Sequence, residues 1–89
     1  MANIRDLKKD INYVLGDIIE AVYIWEMTSE KGEMGKGDKI IDETIEHFDR
    51  LIAQVNDRSV ENRAAHLRQV NLELEKVAND LVDKINKLS

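Results

Sequence analysis

Cysteine and proline are both absent from this chain, glycine occurs four times, and only 4% of its residues are aromatic. Without cysteine there can be no disulfide framework and no thiolate metal site, a composition compatible with a reducing compartment. Without proline, nothing in the sequence forces a helix to stop. Three of the glycines, Gly32, Gly35 and Gly37, crowd into one short segment, which leaves one obvious break between long uninterrupted spans. Long apolar runs are missing as well: the strongest, from Ile18, is interrupted by Glu20 and Glu26 and is too short to span a bilayer. There is no basic excess either. The net charge of −5 argues against nucleic-acid binding, because phosphate contacts need a basic face. The opening residues turn charged by Arg5 and Asp6, unlike a secretory signal. The expected setting is therefore the cytoplasm, with neither membrane nor nucleic acid as a partner.

What is present is a strong helical pattern. Eighty-nine residues make one domain, 1–89, able to form a core but with little stability to spare. At about 100° per residue, Ile4, Leu7, Ile11, Val14, Leu15, Ile18, Val22 and Trp25 share one side of a first helix over 3–28. Asn3 is its expected N-cap, with Asp6 in the first turn where the helix dipole favours negative charge. A Gly-rich loop is expected over 28–37. Its glycines are not followed by the Lys-Ser/Thr of a phosphate loop, and no strand precedes them. A second helix over 38–56, capped by Asp38, carries Ile41, Ile45, Phe48, Ile52 and Val55, flanked by Ile40, Thr44 and Leu51. After a short polar connection, with Ser59 or Asp57 as cap, a third helix over 60–88 carries Leu67, Val70, Leu74, Val77, Leu81, Ile85 and Leu88. Three amphipathic helices so connected predict an all-α, up-down-up three-helix bundle. Asn71 lies at the edge of the third stripe, either as a half-exposed neighbour or as a buried amide fixing register.

Tyr13, Gly16, Tyr23, Ile24 and Met27 fall off the core stripe of the first helix. A helix apolar nearly all round is buried on more than one side, so these residues are the expected interface of a homo-oligomer formed through helix 1. Gly16 is either a tolerated surface glycine or a point of close helix approach. In the competing arrangement, helix 3 and the Gly-rich loop cover Tyr23 and Met27 within one chain.

Chemistry-bearing residues are sparse. Glu43 and His47, four apart, share a helix face and read as a surface ion pair, since the Glu-x-x-His of di-iron bundles is absent. His66 reads as solvated, and Arg58, Arg63 and Arg68 as a solvated face. Asp17-x-x-Glu20 and Glu46-x-x-Asp49 resemble the paired acidic motifs of the all-α, magnesium-dependent nucleotide pyrophosphohydrolases of the MazG type. That resemblance implies a divalent cation held by Asp17, Glu20, Glu46 and Asp49. Asp17 stands where the family has glutamate, and Glu20, Glu46 and Asp49 point away from the core stripes of their helices.

The segment Ile4-Arg5-Asp6-Leu7-Lys8-Lys9-Asp10-Ile11-Asn12-Tyr13 resembles the start of a group of small bacterial all-helical proteins without an assigned function. Ile40-Ile41-Asp42-Glu43-Thr44, leading into Phe48 to Asn56, is similar to the same group. The resemblance implies a small helical bundle and carries no active-site residues. The sequence therefore reads as a non-enzymatic interaction or structural module that needs no cofactor and self-associates. The alternatives are the metal-dependent hydrolase and a protein of the antitoxin or immunity kind that binds another protein partner.

Overall fold

The computed structural model describes residues 4–28 and 34–88 and is a three-helix bundle: α1 (Ile4–Thr28), α2 (Met34–Asn56) and α3 (Arg63–Asn86). Helices of 25, 23 and 24 residues each run roughly 35 Å at 1.5 Å per residue. The connection 57–62 cannot span that length, since six residues reach about 20 Å when fully extended. The chain therefore reverses between α2 and α3, and the five residues between α1 and α2 are fewer still, so it reverses there too, which gives the up-down-up order. No helix among the described residues is long and apolar enough to cross a membrane.

The core follows the stripes of α1 and α3. Leu7, Ile11, Leu15, Ile18 and Val22 of α1 meet Leu67, Val70, Leu74, Val77 and Leu81 of α3, all buried. Ile85 and Leu88 pack at its lower-burial end, and Asn71 is half-buried, as the edge position implies. α2 departs from expectation. Its buried residues are Ile40, Ile41, Thr44, Leu51 and Val55, while Ile45 is 46% exposed and Phe48 and Ile52 are half-buried. The inward face is thus rotated by roughly 50° toward Thr44, about half of one residue's step. A helix that touches two others needs a face wider than a single stripe, and small side chains on its midline let the neighbours approach.

Two helix starts also differ. α2 begins one turn before Asp38, at Met34, so Asp38 is not its cap, and the part of the expected loop from residue 34 onward is helical. Gly37 explains why glycine occurs inside this helix. A Cβ there would stand 2.9 Å from Cγ and Oε2 of Glu26, so the end of α1 lies on the bare backbone of α2. The contact is with the Glu26 side chain, so a larger residue at Gly37 would displace that carboxylate. α3 begins at Arg63, capped by Asn62, whose side-chain oxygen accepts a bond from the Ala65 N–H at 3.1 Å. Ser59 and Asp57 bond to each other instead: the Asp57 carboxylate accepts from the Ser59 hydroxyl at 2.6 Å and from its N–H at 2.9 Å. Those bonds hold the Asp57 carboxyl below the usual range. The connection is thus a local turn followed by a separate cap. The expected cap Asn3 and the loop residues 29–33 lie outside the described residues.

Candidate interaction surface

The residues placed off the α1 core stripe emerge on the opposite side of that helix. Tyr13 is 60% exposed, Tyr23 53%, Ile24 57% and Met27 84%, and Gly16 is open, with nothing within 4 Å of where its Cβ would stand. α3 therefore does not cover Tyr23 and Met27. Two further residues, Lys9 and Glu20, lie on the same exposed line. The sequence signal for them was the alternation of four- and three-residue steps from Lys9 to Met27, easily missed because neither is apolar.

At one end this face opens into a cleft of about 490 Å³ lined by Tyr23, Glu26, Met27 and Asp38. Glu26 reaches it from the last turns of α1 and Asp38 from the second turn of α2, brought together by the contact over Gly37. Burial, then the hydrogen bond with Asp38 and the negative charge of Asp38, hold the Glu26 carboxyl above the usual carboxylate range.

The other side-chain clusters are internal ties between helices. Glu43 does not pair with His47; its carboxylate accepts from Lys84 of α3, which also lies 3.3 Å from Asp80. The bond to Glu43 is the main cause holding the Lys84 ammonium above its ordinary pKa. Arg50 donates from Nη1 to Glu73 at 2.7 Å and from Nη2 to Nδ1 of His47 at 3.1 Å. Because arginine can only donate, Nδ1 of His47 accepts and its proton sits on Nε2. His66 is half-buried rather than solvated: Nε2 donates to the carbonyl of Gln54, tying the start of α3 to the end of α2. Arg58, Arg63 and Arg68 are exposed.

Asp17, Glu20, Glu46 and Asp49 are all exposed, on the outer sides of α1 and α2. Among the described residues no three histidine, cysteine, aspartate or glutamate side chains gather where they could hold a metal ion. The structure thus does not bring the four acids together.

Fold and surface define an all-α three-helix bundle with one helix apolar on two opposite sides. No family model, curated protein or solved structure matches the chain.

Proposed function

We propose that this chain is a non-enzymatic interaction module that joins a second copy of itself through the outer face of α1. One observation carries this reading: Tyr13, Tyr23, Ile24 and Met27 stand exposed together on the side of α1 away from the core. Large apolar side chains gathered on one exposed face commonly mark a contact site. Elsewhere the large exposed apolar side chains, Ile45, Leu72 and Val82, are scattered on α2 and α3, which is ordinary for a protein surface. Tyrosine and methionine are favoured where proteins meet. A two-fold arrangement uses the same patch twice and closes on itself, leaving no surface for further growth.

Sedimentation equilibrium at micromolar concentration tests the proposal. The expected result is a dimer that falls to folded monomers on Ile24→Glu, because an unpaired charge in the contact costs several kcal/mol. A wild-type protein that stays monomeric at high concentration ends the proposal. An Ile24→Glu chain that unfolds also ends it, by placing Ile24 in the core.

A further inference from the structure

The edges of the bundle are closed in different ways. Between α2 and α3, side chains tie across: Arg50 to Glu73 and Lys84 to Glu43. Between α1 and α3 lies an open groove instead. It holds a cavity of about 430 Å³, with buried Leu74 and half-buried Val14 and Ala78 at its floor. Asp10, Asn71, Glu75 and Asn79 line the rest. None of these four polar side chains has a hydrogen-bond or ion-pair partner among the described residues.

The groove runs on beyond the cavity. At about 100° per residue, the line of α1 through Asp10 and Val14 continues to Asp17 and Ala21. The matching line of α3 reads Asn71, Glu75, Ala78 and Val82. Both advance by four, three and four residues, the spacing of a helix seam. Every residue on either line is exposed or half-buried, so both seams lack a partner within the chain. The alanines, one on each line, leave room for a third backbone to come close.

We infer that this groove receives one amphipathic helix of another protein, apolar on the face turned to Val14, Ala78 and Val82 and carrying lysine or arginine along its flanks. The inference does not depend on self-association, because the groove lies roughly a third of a turn round α1 from Met27.

Charge selects the occupant. All charged residues on the two lines are acidic: Asp10 and Asp17 on one side and Glu75 on the other. The neighbouring cations lie elsewhere. Lys9 is on the outer line of α1, Lys76 turns to a separate cleft with His47 and Arg50, and Arg68 stands one turn before Asn71, at the end of the groove. A lysine or arginine on the incoming helix lays its aliphatic stem on the apolar floor and its charged head against the acidic rim. A second copy is the wrong partner. It carries a net charge of −5, and its exposed apolar line on α1 is flanked by Asp10 and Asp17, so acids would face acids.

The probe is a peptide of about four helical turns, with leucine along one face and lysine on both flanks. Glutamate replaces lysine in its control. Fluorescence anisotropy at low salt should show the lysine peptide binding and the glutamate peptide not binding. Amide shifts in the nuclear magnetic resonance spectrum should cluster at residues 10–21 and 71–82. Asp10→Lys with Glu75→Lys should weaken binding at least ~10-fold. Asp42→Lys with Asp49→Lys makes the same change of net charge on the outer side of α2, and should leave binding within about 2-fold. Equal weakening by the two pairs would mean that net charge alone draws the peptide, which overturns the inference. A glutamate peptide that binds as tightly, or a lysine peptide that does not bind, overturns it too. Loss of wild-type self-association on Ala78→Gln, with circular dichroism unchanged, would give the groove to a second copy and likewise overturn it.

Discussion

Replacing Thr44 by valine should leave the stability of this protein nearly unchanged, although it removes a buried hydrogen bond. Thr44 is the one polar side chain in the core among the described residues, fully buried, and its hydroxyl donates to the Ile40 carbonyl at 2.7 Å. That carbonyl lies one turn back and already accepts the Thr44 backbone N–H in the helix. Valine keeps the branched shape and exchanges the hydroxyl for a methyl. The exchange forfeits a hydrogen bond with a net worth of about 0.5–1.5 kcal/mol. It leaves no group unsatisfied, because the donor disappears and the acceptor keeps its backbone partner. Against the loss stands about 0.8 kcal/mol for the added buried carbon; the net worth of the bond already includes desolvation of the hydroxyl. A hydroxyl bonded back to its own helix also tends to bend that helix slightly. Loss and gain nearly cancel, so the expected change lies within about 0.7 kcal/mol of zero, or a Tm shift of no more than about 6 °C for a domain of this size. Thr44→Ala should instead fall below wild type, because it leaves a small cavity in place of the branch. Urea unfolding followed by circular dichroism at one fixed protein concentration measures both. A Thr44→Val chain less stable than wild type by more than ~1 kcal/mol would mean that the hydroxyl has a partner beyond Ile40. An alanine variant as stable as the valine variant would mean that the position is not in the core.

Two further outcomes are expected. Asn62→Ala should cost about 1 kcal/mol through loss of the α3 cap, whereas Ser59→Ala should stay within about 0.5 kcal/mol; urea midpoints of the two variants decide which residue is the cap. In the monomeric Ile24→Glu background, Glu26→Gln should be more stable than its parent at neutral pH. The native state raises the Glu26 pKa from 4.5, so it holds the proton more tightly than the unfolded chain, and this group's contribution falls as pH rises from about 4.5 through the native value. The advantage of glutamine should therefore vanish on acidification below that range, and a difference independent of pH would refute the assignment.

The parts of the fold that were legible in the sequence are those where one physical signal stood alone. In α1 and α3 the apolar residues at helical spacing have no rivals, and every residue buried there was placed on the correct face, from Leu7 to Val22 and from Leu67 to Leu81. α2 was harder because two neighbouring lines competed. Ile45 is more apolar than Thr44, so hydrophobicity favoured it, yet packing between two helices buried the smaller residue and left Ile45 nearly half exposed. The helix starts failed for a related reason. Aspartate before an apolar run signals a cap, and clustered glycines signal a loop, but both signals are local. The contact of Glu26 with Gly37 is not local, and it lies where α2 continues past the expected boundary. In the connection 57–62, three side chains were able to cap; Asp57 and Ser59 bond to each other, which leaves the task to Asn62.

The interaction surface shows the same division between what a pattern states and what only assembly reveals. A single helix can satisfy two seams at once only if its apolar residues fall on opposite sides, and α1 does so with Ile11, Leu15, Ile18 and Val22 inside and Tyr13, Tyr23, Ile24 and Met27 outside. That much follows from periodicity. The polar members of the outer line, Lys9 and Glu20, have no such signature, since charged residues on an exposed face are what solvent alone would select. Their meaning depends on the neighbours that folding supplies. Glu20 lies one turn from Gly16, where the surface beside the backbone is open. At one end of the line, the approach of α2 over Gly37 places Asp38 beside Glu26. That end of the outer face is therefore shaped by a glycine in another helix: a side chain at Gly37 would push the Glu26 carboxylate aside and away from Asp38, without touching Tyr13, Tyr23, Ile24 or Met27.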